Sequence, residues 1–194
     1  MCKSKLEIVT GFRNDWKYSL KGILEEEIIE TAINKAYAPS MRRAIKLNGK
    51  SSKKPREECA EMLLKKISEN YRTINTTKAF DDFAKACCDN IVNIFHDKHG
   101  IEDYTYGNAQ KWLNMTFKYM LSADNMDYDL KVFEVCHIPI DSIIMNKAKE
   151  RLSVEPLSCA WSNCNNWEEI QRYQDSIRNA DEIPLLWEIK NWNK

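Results

Sequence analysis

The chain has 194 residues, of which 29 are Lys or Arg and 29 are Asp or Glu, so its formal net charge is zero. With 43% hydrophobic residues, 30% charged residues, and only 5 Gly and 5 Pro, it falls outside the collagen-like, low-complexity and disordered classes. Balanced charge also excludes a global basic field, so any nucleic-acid site has to come from local clustering.

No apolar run approaches the roughly 18 residues that span a bilayer, and the start Met1-Cys2-Lys3-Ser4-Lys5 has no apolar signal segment. A cytoplasmic chain with no membrane partner is expected. The seven cysteines (Cys2, Cys59, Cys87, Cys88, Cys136, Cys159 and Cys164) are odd in number and scattered, which predicts reduced, mostly buried thiols rather than a disulfide framework.

Periodicity reads almost entirely as helix; Lys5 to Val9 and Val132 to Val135 also fit strands, but ones too short to set the fold. Residues 19 to 37 carry Leu20, Leu24 and Ile28 at intervals of four with acids between them, predicting an amphipathic helix ended by Pro39. Cys59, Leu63, Ile67 and Tyr71 repeat that spacing from Pro55 to Tyr71. Between Lys78 and His96, the stripe Phe80, Phe83, Ala84, Cys87, Ile91, Ile94 and Phe95 marks a core helix that Gly100 ends. A compact hairpin, Ile101 to Gly107, leads into a helix running through Tyr119, with Leu113, Phe117, Met120 and Leu121 on its apolar face. Pro139 and Asp141 open the next helix, which Asp141 caps and Pro156 ends. Trp167, Ile170, Tyr173, Gln174 and Ile177 predict another helix, and the apolar tail Leu185 to Trp192 is expected to dock on the body.

Between Met41 and Arg56 lie seven basic side chains (Arg42, Arg43, Lys46, Lys50, Lys53, Lys54 and Arg56) and no acid. A solvated loop and a phosphate-backbone contact both fit that cluster. Metal chemistry does not fit the remaining patterns. There is no Cys-x-x-Cys pair, His96 and His99 stand three apart, and Asp124, Asp127 and Asp129 lack the glycine and terminal glutamate of a calcium loop, so neither metal nor cofactor is expected.

Two segments stand out: Tyr106-Gly107-Asn108-Ala109-Gln110-Lys111-Trp112-Leu113 and His137-Ile138-Pro139-Ile140-Asp141-Ser142-Ile143-Ile144. Together they resemble the helix-hairpin-helix DNA glycosylases, in which a Gly-x-Gly-x-Lys hairpin is followed by Pro-Val-Asp at the start of a later helix. The Gln110-Lys111 dipeptide and the 30-residue step from Lys111 to Asp141 are most similar to the archaeal-type 8-oxoguanine glycosylases. The resemblance covers about residues 80 to 155, and the chain departs from the pattern at Ala109, Trp112 and Leu113.

What the resemblance implies is an all-α, two-lobed helical domain spanning residues 1–194 with a helix-hairpin-helix motif, in which the N- and C-terminal helices form the second lobe. The implied enzyme excises an oxidised purine of the 8-oxoguanine type from double-stranded DNA, as a monomer, through a lysine Schiff base with AP-lyase activity. Lys111 takes the place of the nucleophile that attacks deoxyribose C1′, and Asp141 that of the carboxylate that steadies the oxocarbenium-like charge or accepts the lysine proton. Gly107, Asn108, Ala109 and Gln110 would hold a phosphate through backbone N–H groups, with Lys50, Lys53, Lys54 and Arg56 adding nonspecific affinity. A flipped base would stack on Trp112, Phe117, Phe133 or Trp161. The competing reading is a non-catalytic helical module that binds nucleic acid or a protein partner, with Trp187 and Trp192 at its interaction surface.

Overall fold

The computed structural model describes residues 4–15, 19–41, 50–180 and 183–192, and among these it is all-α, with no strand. In chain order the helices are α1 (Lys5–Arg13), α2 (Ile28–Met41), α3 (Lys53–Asn70), α4 (Thr77–Asn93), α5 (Tyr106–Leu121), α6 (Val132–Val135), α7 (Ser142–Leu152), α8 (Trp167–Ala180) and α9 (Pro184–Trp192). No helix among the described residues is long and apolar enough to cross a membrane.

The arrangement centres on α5, in which every residue from Gly107 to Leu121 is buried. Helices α2 and α4 pack along it, α8 touches it, and α9 meets α1, α6 and α7. A helix enclosed on all sides normally carries few polar residues. Here Asn108, Gln110, Lys111, Asn114, Thr116 and Lys118 all lie inside; Thr116 bonds Trp112 O within α5, and the other five take partners from neighbouring segments. Those partners build the site described below.

The stripes read at α3 and α4 are buried as expected: Cys59, Leu63, Ile67 and Tyr71 in one case, Phe80, Ala84, Cys87 and Ile91 in the other. Past Asn93, α4 runs into a wider turn at Ile94–Lys98, and Gly100 then takes a left-handed φ of 63° that reverses the chain. Asp141 caps α7 by accepting the Ile144 N–H at 2.9 Å. That helix stops at Leu152, where Ser153 adopts φ 56°, three residues ahead of the expected stop at Pro156.

Several expectations are corrected. Lys5 to Val9 is helical, because Ser4 and Glu7 form a reciprocal capping box and Ile8, Val9 and Phe12 fall on one helical face. Val132 to Val135 is one helical turn that buries Val132 and Phe133. The helix expected from residue 19 begins at Ile28, after a 3₁₀ turn at Glu25–Glu27: Gly22 has φ 71°, Leu20 makes an isolated bridge with Ala123, and Leu24 is 57% exposed. Pro39 lies inside α2 near its C-terminal end. Gly107 to Gln110 form the first turn of α5 rather than a hairpin, because Thr105 is the N-cap, bonding reciprocally with Asn108.

Candidate functional site

An extended stretch, Ile138 to Ile140, runs buried beside α5 without a strand partner. Side-chain amides replace the missing ladder. Gln110 donates through Nε2 to Ile140 O at 3.1 Å and accepts the Ile140 N–H through Oε1 at 3.2 Å. Gln174 on α8 does the same for Ile138, accepting its N–H at 3.1 Å and donating to its carbonyl at 2.8 Å, and Asn114 Nδ2 adds a second bond to that carbonyl at 3.1 Å. Two amides thus hold the peptide in register, which sets the position of the next residue, Asp141.

Lys111 and Asp141 meet there. Lys111 Nζ lies 3.1 Å from Asp141 Oδ2, with the two residues 8% and 9% exposed. Asp141 Oδ1 is committed to capping α7, and Oδ2 also accepts a hydrogen bond from Trp192 Nε1 at 3.4 Å. The Lys111 ammonium sits 4.3 Å from the ring centroid of Trp161, on the loop joining α7 to α8. An amine, a carboxylate and two indoles therefore converge at the N-terminal end of α5.

Deeper along the same face, Lys118 Nζ pairs with Glu188 Oε1 at 2.8 Å, with both side chains 1% exposed. Lys118 Nζ also lies 5.6 Å from the ring centroid of Phe12 and 5.1 Å from that of Trp192. Glu188 Oε2 is buried without a hydrogen-bond partner, and burial pushes this carboxyl above its ordinary value against the pull of Lys118. The sequence reading missed this second pair, whose members stand 70 residues apart with no local pattern linking them.

Other candidates are corrected. Gly107, Asn108, Ala109 and Gln110 are buried and offer no phosphate cradle: the Gly107 N–H donates to Cys164 O at 2.9 Å, and the N–H groups of Asn108 and Ala109 go to Thr105. The Asn108 side chain donates to Ser40 O, and Gln110 serves the clamp. Trp112, Phe117 and Phe133 are core residues, with Trp112 Nε1 donating to Ile33 O at 2.9 Å, so none faces a base. Trp161, half-buried over Lys111, is the aromatic that remains. Trp187 is buried and Trp192 turns into the site, which removes the apolar surface that the binding-module reading placed there.

Within the basic cluster, Arg42, Arg43 and Lys46 lie outside the described residues. Lys50, Lys53 and Lys54 are exposed, and Lys50 donates to Gly100 O. Lys53, Lys54 and Arg56 occupy the first turn of α3, which contains no acid. Cations there oppose the helix dipole, an arrangement that an anionic ligand would relieve. Arg56 stacks 4.8 Å from the Tyr37 centroid, and Tyr37 meets Trp112 edge-on at 4.8 Å, so this turn lies toward the end of α5 that carries Lys111.

His137 precedes the clamped stretch. Its Nε2–H donates to Asp81 Oδ1 at 2.8 Å, Arg178 also binds Asp81, and Nδ1 is buried without a partner. Burial pushes the imidazole below its ordinary value despite the Asp81 bond, consistent with a neutral ring whose bare Nδ1 has no proton to satisfy. Burial works to raise Asp81, but the bonds from His137 and Arg178 overcome it and hold the carboxyl well below the usual range. Both groups bind fewer protons folded than unfolded. The contribution of His137 is therefore complete above about pH 6.5 and lost as pH falls below it, and that of Asp81 follows below about pH 4. Stability should decline as pH falls below about 6.5, with a slope of at most about 1.4 kcal/mol per pH unit from this residue. His137→Gln should flatten that limb in thermal melts; an unchanged slope would contradict the assignment.

Comparison with protein-family models, with curated proteins and with solved structures returned no match.

Proposed function

We propose that the protein is a DNA glycosylase that removes an oxidised purine of the 8-oxoguanine type through a Schiff base on Lys111. The observation that carries this reading is the 3.1 Å Lys111–Asp141 pair, nearly enclosed and flanked by Trp161 and Trp192. The lysine proton passes to Asp141, and the neutral amine attacks deoxyribose C1′. The C1′–N9 electrons then leave with the purine, which takes the proton held by Asp141 and restores the carboxylate; the bound amine loses its second proton to O4′, and the sugar ring opens to a protonated imine. Asp141 also faces the positive charge that develops on the sugar. An extruded base stacks on Trp161, the loop-borne aromatic over the amine. The cationic first turn of α3 supplies backbone affinity in place of the glycine-led turn of α5.

Borohydride trapping on duplexes containing 8-oxoguanine or an abasic site tests the proposal. The wild type should give a covalent adduct, Lys111→Gln none, and Asp141→Asn an adduct formed about 100-fold more slowly or worse, with circular dichroism confirming that each variant folds. Absence of a wild-type adduct, or an undiminished one from Lys111→Gln, rejects it. Burial of the pair, which leaves each charge already neutralised by the other, favours a second reading: a non-catalytic nucleic-acid-binding module. That reading requires salt-dependent binding to undamaged DNA without any adduct.

A further inference from the structure

Asp141 accepts three hydrogen bonds, and the third comes from an unexpected place, the last described turn of the chain. Its Oδ1 takes the Ile144 N–H, which ties it to α7. Its Oδ2 takes Lys111 Nζ from α5 and the Trp192 indole from α9. A carboxylate held by one ammonium and one backbone N–H keeps some freedom about its terminal torsion, and a planar donor on a packed helix restricts that freedom further. The indole is itself held, because Lys118 Nζ faces its ring at 5.1 Å while bonded to Glu188 one turn earlier on α9.

We propose that Trp192 is a positioning residue of the Lys111–Asp141 site: its N–H orients Asp141 Oδ2 toward the lysine, and its ring face couples that carboxylate to the enclosed Lys118–Glu188 pair. This rests on the glycosylase reading for its kinetic consequence, but not for its structural one. The charged and titratable groups acting on Asp141 are Lys111 on α5, Tyr173 on α8 and Glu188 on α9, the last of these paired with Lys118. Trp192 touches two of these groups' partners at once, which makes α9 part of the site rather than a cap on the core.

Two measurements on the full chain test this. In a ¹H–¹⁵N spectrum, the Trp192 indole resonance, assigned by its disappearance in Trp192→Phe, should shift in Asp141→Asn, whereas the indole of Trp187, buried elsewhere on α9, should not. In single-turnover trapping, Trp192→Phe keeps a ring for Lys118 but removes the donor. It should slow adduct formation about 10- to 100-fold while leaving the half-saturating DNA concentration unchanged. An indole resonance indifferent to Asp141→Asn, or a full adduct rate in folded Trp192→Phe, overturns the proposal. If the wild type forms no adduct, the glycosylase reading fails and the indole shift alone decides the positioning role. The same spectrum decides it if Trp192→Phe fails to fold, with assignment then resting on the backbone.

Discussion

Gly107→Ala is expected to destabilise the protein by about 3 kcal/mol or more, although the residue sits in the first turn of a helix where alanine is intrinsically favoured by about 1 kcal/mol. The reason is steric. A Cβ at this position would lie 1.7 Å from Trp161 O and 2.8 Å from Trp161 C. Those are backbone atoms, and the loop that carries them is fastened immediately after the contact: Thr105 Oγ1 donates to Ser162 O at 2.9 Å, and the Gly107 N–H donates to Cys164 O. No side-chain rotation relieves the overlap, so the loop must lift from α5. For a chain of this size the loss corresponds to a fall in melting temperature of about 6–12 °C. Because Trp161 covers Lys111, lifting the loop also uncovers the amine, and quenching of tryptophan fluorescence by iodide should rise with the destabilisation. A melting temperature within 1–2 °C or so of wild type would show that the loop is not packed as described.

That contact also shows how far the sequence could be read. Gly107 was recognisable as a position needing a small residue, but for the wrong purpose: its smallness admits a carbonyl of this chain, not a phosphate. The Thr105–Asn108 capping box that makes Gly107 helical is written in the sequence, yet Asn stands where Glu or Gln is usual. Helices α3 and α4 were legible because one face is buried and the other is wet, so periodicity reports the fold directly. In α5 the stripe Leu113, Phe117, Met120 and Leu121 marks a helix but not its full burial, because all its faces are buried and polar residues such as Asn114 and Lys118 reach partners 24 and 70 residues away. Leu20, Leu24 and Ile28 show the opposite error: helical spacing arose where Gly22 turns the chain, and Leu24 faces water. Lys111 and Asp141 could be named from the sequence through the resemblance. The amide clamp of Gln110 and Gln174 that brings them together could not, because glutamine carries no spacing signature.

The second large effect is expected at the enclosed pair. Glu188→Ala and Lys118→Met should each cost about 3–5 kcal/mol in urea denaturation at pH 7, because either change strands an opposite charge that is 1% exposed. The double variant Lys118→Met/Glu188→Leu should recover most of that loss, since it removes both desolvated charges and leaves apolar groups against Phe12 and Trp192. Glu188 also predicts a direction with pH. Burial raises its folded value above the unfolded one, so its contribution to stability is greatest below the unfolded value of about 4.3 and is lost as pH rises through the folded one. This trend opposes that of His137 and Asp81, and the double variant should therefore gain more relative to wild type at pH 8 than at pH 5. Losses below about 1 kcal/mol in both single variants would mean that water reaches the pair. Recovery in the double variant has a further consequence: the pair is then dispensable for stability, and its contact with Trp192 can be tested in a folded protein. The same double variant should then fold well and still show a displaced Trp192 indole resonance, separating the role of the pair in the site from its role in the core.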